Sequence, residues 1–387
     1  MNVKLIGVGA AGNKAAIAAI ESKVIDKSDV LLINSTLKDI PHDYSGDKYC
    51  FANAYGGCGK ERSVAKQYVI ADLQSGALNI EKYLNIGVQN KQTELVVFVS
   101  STEGGSGSGT VPTLARYIKE VVDTSISVKC FSFVGFSDDI RGLRNTVEYF
   151  QEMEDNLAIE ALLNDKYLDE AGGDRIKAEQ MANQDFCIKL SVLMGNALRD
   201  SDHNIDPTDH LKVVKTPNYS VTEYKEFGKI KNKSQFRELI QDMIDNTKGF
   251  DLSTQTQKRL AVMINIDKTS TGVIDTELLL EHFGEAFEKF EHIQHETSLP
   301  QFVAFISSGN KIPMDEIQSV YKQYQERANK MDNSPDDFFG KNFKFDDQDD
   351  VFNLSHNEKK KSKSDFFGSL GKEDKSSSLI GGEMDSY

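Results

Sequence analysis

The 387-residue sequence predicts an α/β fold with a parallel sheet, and three observations carry that prediction. Short apolar runs alternate with helix-like segments through the N-terminal half, the pattern of strands joined by crossover helices. Two glycine-rich runs, Gly7-Val8-Gly9-Ala10-Ala11-Gly12 and Gly104-Gly105-Ser106-Gly107-Ser108-Gly109-Thr110, each follow an apolar run and precede a helix-like one. A long helix-like stretch, Ala178 to Arg199, then separates this half from a second region with strand-like runs of its own.

In chain order, Val3 to Ile6 reads as a strand and Asn13 to Glu21 as the helix behind its glycine turn. Val30 to Ile33 is the next strand, Arg62 to Gln74 a helix, Leu95 to Val99 a strand, and a helix starts at Pro112. Lys129 to Val134 and Leu157 to Leu163 are strands flanking a helix from Gly142 to Glu154. In the long helix Met181, Phe186, Leu190, Leu193, Ala197 and Leu198 recur near helical spacing. Further on, Leu260 to Ile264 and Phe302 to Ile306 read as strands with an amphipathic helix, Glu277 to His292, between them. Asp315 to Met331 reads as a charged helix. The expected division is a Rossmann-like nucleotide-binding domain over 1–177, a central helix and acidic loop over 178–210, a smaller α/β domain over 211–312, a helix over 313–332 and a tail over 333–387. The tail is rich in Asp, Lys, Ser and Gly without a sustained period and reads as disordered.

Composition excludes several classes. The formal net charge of −15, from 45 basic and 60 acidic residues, argues against direct nucleic-acid binding by the folded body. No apolar run approaches the length of a membrane span. The four cysteines, Cys50, Cys58, Cys130 and Cys187, include no C-x-x-C pair and no secretory signal precedes them. Reduced thiols in a cytoplasm, without a zinc site, are expected.

The chemistry lies in the glycine loops. Successive glycines turn backbone N–H groups toward one point, and a helix N-terminus beside them favours an anion, so 104–110 reads as a phosphate loop rather than a linker. Gly7 to Gly12 fits G-x-G-x-x-G, but the strand after it runs into Asn34-Ser35-Thr36 with no acid at once for a dinucleotide ribose. A P-loop is excluded, because no G-x-x-x-x-G-K-[ST] occurs and Gly59-Lys60 is followed by Glu61. Two glycine loops on one sheet fit one nucleotide with several phosphates. Gly56-Gly57-Cys58-Gly59-Lys60 is a third loop, either an ordinary turn or a contact to the terminal phosphate with Lys60 adding charge. In the tail Asp337-Phe338-Phe339-Gly340 recurs as Asp365-Phe366-Phe367-Gly368, with Phe343, Phe345 and Phe352 between. These are stray aromatics or a repeated docking motif. The run Lys359-Lys360-Lys361-Ser362-Lys363 suits phosphate or an acidic surface, or is a solvated face.

Together these residues resemble the tubulin/FtsZ superfamily of GTPases over roughly residues 1–310. The superfamily's G-G-G-T-G-[TS]-G loop is similar to Gly104 to Gly109, with Ser106 where a glycine is usual, and its N-T-[DN] loop is similar to Asn34-Ser35-Thr36. Its N-x-D-x-x-D loop is matched by Asn204-Ile205-Asp206-Pro207-Thr208-Asp209. Within the superfamily the chain looks most like the TubZ group of plasmids and phages, from Asp206 to Pro217 and from the charged helix and Phe/Lys tail. The phage-spindle PhuZ group and the cell-division FtsZ group are the alternatives.

The resemblance implies a GTPase that polymerises head to tail and segregates or positions plasmid or phage DNA, in a bacterial cytoplasm or in that of a phage host. It implies GTP/GDP and Mg2+ as cofactors, the metal held through the phosphates. It implies self-association, and a DNA-binding adaptor reached through the tail. Gly9, Ala10, Ala11, Asn34, Gly57, Gly59, Gly104, Gly105, Ser106, Gly107, Ser108 and Gly109 would hold GTP; Asn13 and Asn183 would bond guanine and Arg141 approach the ribose or phosphates. Phe186 is either a guanine stack or a core residue. Asn204, Asp206 and Asp209 would orient water on the next subunit's nucleotide, the alternative being a solvated turn after a helix. A Rossmann-type dehydrogenase and a non-polymerising regulator are the competing classes, the latter opposed by the intact acidic loop.

Overall fold

The computed structural model describes residues 1–51, 54, 56–89, 92–136, 139–153, 157–199, 204–250, 259–283, 288–331 and 360–369. The elements follow in chain order: β1 (Val3–Val8), α1 (Gly9–Glu21), β2 (Val30–Asn34), β3 (Asp47–Cys50), α2 (Arg62–Ser75), α3 (Ile80–Tyr83), β4 (Leu95–Ser101) and α4 (Gly105–Tyr117). Then come β5 (Ser127–Val134), α5 (Ile140–Glu152), β6 (Ala158–Leu163), α6 (Asn164–Glu170), α7 (Arg175–Met194), α8 (Pro207–Val214), β7 (Asn218–Glu226) and α9 (Lys233–Asp245). The remainder is β8 (Arg259–Asn265), α10 (Glu277–Phe283), β9 (Glu288–Gln294), β10 (Phe302–Asn310), α11 (Met314–Met331) and a last helix, α12, over 363–369.

All ten strands form one sheet in the order β3-β2-β1-β4-β5-β6-β7-β10-β8-β9. From β3 to β6 every pairing is parallel. Apart from the edge strand β3, these strands are covered on both faces and read as largely apolar runs; every residue of β1 and β4 is buried. One core layer lies under α2, α4 and α5 and the other under α1 and α7. The region after 210 does not build a separate sheet. Its β7 continues the first half through Ala158↔Asn218 and Ile159↔Tyr219, and β10 then pairs antiparallel with both β7 and β8.

Three expectations change. The amphipathic helix expected over 277–292 ends at Phe283, and residues 288–294 form β9, parallel to β8. Phe290 and Ile293 suit a helical period, but in the strand exposed Lys289 and Glu291 alternate with the more buried Phe290, His292 and Gln294, and pairing with β8 decides. The helix expected from Pro112 begins at Gly105, inside the glycine loop, with Pro112 in its interior. Pro112 donates no N–H to the Ser108 carbonyl four residues back; Arg62 Nη2 donates to that oxygen instead, at 3.0 Å. The tail expected to be disordered contains a docked helix, α12; its first aromatic cluster, 337–345, and Phe352 lie outside the described residues. All four cysteines are free. No helix among the described residues is long and apolar enough to cross a membrane.

Candidate functional site

The parallel strands β1, β2 and β4 end together, and the loops after them enclose a cavity of about 310 Å³. That volume lies at the small end of the range for small-molecule sites. Its walls are Val8 to Ala11 after β1, Asn34 to Thr36 and Asp39 after β2, Gly57 to Lys60 before α2, and Ser101 with Glu103 to Gly107 at the start of α4.

The glycines are there for close approach. Gly9 has φ +75°, and a Cβ on it would lie 3.1 Å from the Gly107 nitrogen. A Cβ on Gly107 would lie 3.0 Å from the Ser101 oxygen and 3.1 Å from that of Val8. The two phosphate loops therefore pack backbone on backbone, and their amides face the same space. Gly104, the N-cap of α4, has open space where its side chain would be. Several glycines in a first helical turn cost about 1 kcal/mol each against alanine, which packing must offset. The 13-residue α4 aims its N-terminal dipole and its free N–H groups at the cavity.

Hydroxyls and amides knit the loops together. Ser106 Oγ lies 2.7 Å from Ser35 Oγ, so the serine at a usual glycine position ties the α4 loop to the β2 loop. Asn34 Nδ2 donates to Asp39 at 2.9 Å, and Asn145 Nδ2 donates to the carbonyls of Lys60 and Glu103 at 3.0 and 2.7 Å. Lys60 forms an ion pair with Asp139 at the wall. Burial would raise the Asp139 carboxyl, but the bonds from Lys60 and the Gly142 amide outweigh it and hold it low. Behind the loop, buried Arg62 pairs with Glu148 and Glu152 at 3.1 and 3.2 Å. Glu103 shows the opposite balance. Burial pushes its carboxyl up, Lys60 offsets part of that, and Asp139 and Glu179 add to it.

The structure thus brings Gly9, Ala10, Ala11, Asn34, Gly57, Gly59, Gly104, Gly105, Ser106 and Gly107 to one cavity. Ser108 and Gly109 sit just below, buried in α4. Asn13 is fully buried outside the lining; its Nδ2 reaches the Ile33 carbonyl at 3.4 Å and its Oδ1 has no hydrogen-bond partner. Asn183 is half-buried on α7, outside the lining. Phe186, read either as a guanine stack or as a core residue, has a fully buried ring, edge-on to Phe131 at 5.2 Å and to Phe133 at 6.3 Å. Arg141 braces the third loop, donating to the Gly59 carbonyl at 3.2 Å and pairing with Glu61. Asp39, Glu103 and Cys58 were not singled out from sequence. For Glu103 the signal was present, an acid directly before a phosphate loop.

The acidic loop is at the other end of the molecule. α7 starts on the cavity side, where Arg175 stacks on Phe136 beyond the end of β5 and Glu179 meets Lys14. Its 20 residues span about 30 Å. It ends where Asn196 Nδ2 donates to the Val24 carbonyl and where Met194 and Asn196 lie beside Asn2 to Lys4, at the start of β1. There Asp206 caps α8, accepting from the Thr208 amide at 2.7 Å, and Asp209 pairs with Lys212 at 2.6 Å. Asn204 and Asp206 are exposed. The backbone and side-chain hydrogen bonds from Thr208 hold the Asp206 carboxyl below the usual range.

The cavity fits a phosphate-bearing ligand: it has a helix N-terminus, amides without side chains over them, and Lys60 at its wall. Asp39 and Glu103 are the carboxylates of the cavity wall that a divalent cation bound with a phosphate ligand would face.

Comparison with known proteins places the fold. Residues 2–170 match the family model described as "Tubulin/FtsZ family, GTPase domain". No curated protein matches the sequence. Among solved structures, the tail-truncated TubZ of Clostridium botulinum phage c-st is similar at 18% identity and a TM-score of 0.65, over 85% of this chain and 97% of that one. A GTPγS-bound protofilament of CetZ2 from Haloferax volcanii is similar at 15% identity and a TM-score of 0.67, over 86% and 99%. A GTPγS-form protofilament of Bacillus thuringiensis serovar israelensis TubZ is similar at 14% and 0.67, over 86% and 93%.

Proposed function

We infer, for a chain whose residues 2–170 belong to the tubulin/FtsZ family as its GTPase domain, that it binds GTP in the β1–β2–β4 cavity and hydrolyses it across a head-to-tail contact between two copies. One observation carries this reading: the phosphate cradle and the acidic turn before α8 stand at opposite ends of α7. A group about 30 Å from its own cavity cannot position water there. The same group on a second copy, stacked end to end, can. Such a contact is heterologous and does not close, so it generates a filament. The protofilaments formed by CetZ2 and by the Bacillus TubZ support the assembly.

On this reading each group has a role. The amides of Gly9 to Ala11 and Gly104 to Gly107 hold the phosphates, and the α4 dipole and Lys60 offset their charge. A magnesium ion bound with the nucleotide, facing Asp39 and Glu103, would supply further neutralisation of the transferring group. Asn13 Oδ1, a buried acceptor without a partner, supports the reading of Asn13 as a guanine contact. Asp206, exposed and ionised at the tip of α8, accepts hydrogen bonds from the attacking water on the neighbouring copy, with Asp209 and Asn204 beside it. GTP at the interface favours assembly, and its hydrolysis weakens it. The cargo is plasmid or phage DNA, held by an adaptor that reads the tail.

Replacing Asp206 and Asp209 together by Asn tests the mechanism without removing the helix cap, because Asn caps as well as Asp. GTP binding stays and turnover falls by at least a hundredfold; in electron micrographs with GTP the filaments persist, as the wild type's do with a slowly hydrolysed analogue. Turnover at the wild-type rate, or a wild-type rate per subunit that does not rise with protein concentration, overturns the reading.

A further inference from the structure

The tail contributes a side chain to the core. Phe366 is fully buried beneath the end of α4, with its ring 5.5 Å from that of Tyr117 and the Arg116 guanidinium 6.0 Å from its centre. Phe367 stacks on the same Tyr117 at 6.0 Å. The groove lies between α3 and the C-terminus of α4, which a π-helical turn, Ile118–Val122, continues. Around the two rings the contacts are polar and matched in charge. The Lys361 amide donates to the Glu120 carbonyl at 2.7 Å and its ammonium meets the Glu120 carboxylate at 2.7 Å. Lys363 meets Glu81 at 2.7 Å, and Tyr117 OH donates to Glu81 at 3.1 Å. A helix C-terminus leaves carbonyls without partners and carries partial negative charge, so an N–H and an ammonium placed there are favoured twice.

The docked turn is built by local sequence. Ser362 Oγ accepts from the Asp365 amide at 3.2 Å and donates to its carboxylate at 2.6 Å, a capping pair that starts α12 and turns both phenylalanines toward Tyr117. The same spacing occurs earlier in the tail. Ser334-Pro335-Asp336-Asp337-Phe338-Phe339-Gly340 repeats the S-x-x-D-F-F-G of 362–368. What it lacks are the lysines: Asn333 and Pro335 stand where Lys361 and Lys363 do.

We propose that this groove is a docking site for the lysine-flanked S-x-x-D-F-F-G turn, that its occupant is residues 361–369 of the same chain, and that Lys361 and Lys363 select this copy of the motif over residues 334–340. The 28 residues from 332 to 359 reach at most about 100 Å, ample to return to the body from α11. Tethering sets a high local concentration of the second motif, while ion pairs half open to solvent keep the contact salt-sensitive and exchangeable.

The test uses full-length protein. A fluorescent peptide of residues 357–371 is titrated by anisotropy against the wild-type chain and against Phe366→Ala/Phe367→Ala, whose groove is vacated. The peptide binds the variant at least tenfold more tightly than the wild type, a peptide of residues 329–343 binds it at least fivefold more weakly, and 0.5 M NaCl narrows that gap. A charge exchange completes the design: Glu81→Lys in the variant weakens the 357–371 peptide, and Lys363→Glu in the peptide restores it. In the unsubstituted chain, amides 361–369 exchange hydrogen more slowly than in the free peptide, and excess peptide abolishes the difference. Equal binding to wild type and variant, or unprotected amides in the wild type, overturns the docking. Equal affinity of the two peptides, or no rescue by charge exchange, overturns the selection by lysine.

Discussion

Two regions of this molecule concentrate charge, and they do so in opposite ways. The cradle at the ends of β1, β2 and β4 presents backbone amides with almost no side chain over them, around a cavity. The junction of β5, β6, β7 and α7 packs Lys129, Lys189 and Glu160 out of water, with partly buried Glu223 and Asp185 at its edge. Lys129 meets Glu160 at 2.7 Å, and Lys189 meets Glu223 at 2.9 Å and bonds the Thr222 carbonyl. Glu160 also accepts from the Thr222 amide at 2.8 Å. Burial lowers the Lys129 ammonium despite Glu160. For Lys189 burial acts the same way but is overcome by Asp185, Glu223 and Glu160, which keep it above the usual lysine range. The contrast teaches what separates a binding site from a clamp. In the clamp both ammonium groups meet acceptors of the chain; in the cradle glycine backbones line a cavity. The clamp also stands where only two residue pairs join β6 to β7, so it fastens the two halves of the sheet.

The largest expected effect comes from breaking the clamp. Lys189→Ala leaves buried carboxylates without their cation and destabilises the fold by about 3–5 kcal/mol, read from the midpoint of urea unfolding. A midpoint unchanged from wild type would mean that the pairs are screened and the junction is held by packing alone. Breaking the cradle is milder for the fold and severe for binding. A Cβ at Gly109 would sit 2.3 Å from the Arg62 carbonyl, so Gly109→Ala costs about 1–3 kcal/mol and displaces the loop, and GTP affinity falls with it. Retained affinity in equilibrium dialysis would show that the loop tolerates the shift.

Glu103→Gln sharpens the comparison, because Glu103 is the carboxylate on the cradle wall whose charge opposes a phosphate. In EDTA the variant binds GTP about tenfold more tightly, about 1.4 kcal/mol, and depends less on magnesium. An unchanged Kd in EDTA would remove Glu103 from the phosphate environment. Asp206→Ala, by contrast with Asp206→Asn, adds the loss of a helix cap, read as a small fall in the thermal unfolding midpoint. The smallest effect is one of pH. Burial lowers the His210 pKa from 6.5; a bond to the Leu193 carbonyl opposes this and His292 adds to it. The unfolded chain therefore binds a proton that the folded chain refuses, so stability is full above about pH 6.5 and declines as pH falls below it toward the folded value. In His210→Gln that slope, followed by denaturation at several pH values, is flatter; an identical slope would assign the acid sensitivity elsewhere.

The sequence by itself determined what local physics encodes. Strands covered on both faces must be continuous apolar runs, so β1, β2, β4 and β5 were legible, as was α11 from its charged period. Glycines that bring two backbones together have no substitute, so the close approach of the loops at 7–12 and 104–110 was legible, whereas the acids of 204–209 stood out only through the family resemblance. Tertiary structure alone decided where these meet. β9 became a strand because β8 offered hydrogen bonds along its edge, and β3 and β7, which the sequence reading did not pick out, joined the sheet for the same reason. Phe186 became core because Phe131 and Phe133 came to rest against it. Asp39, Glu103 and Lys60 share a cavity because parallel strands bring loops distant in sequence to one end of the sheet. The length of α7 carried the acidic turn to the opposite end, and the end of α4 gave the tail a groove matching its aromatic and lysine residues. Backbone conformation and burial period are properties of neighbours in the chain. Which surfaces face each other depends on contacts between distant segments, and only the folded chain supplies those.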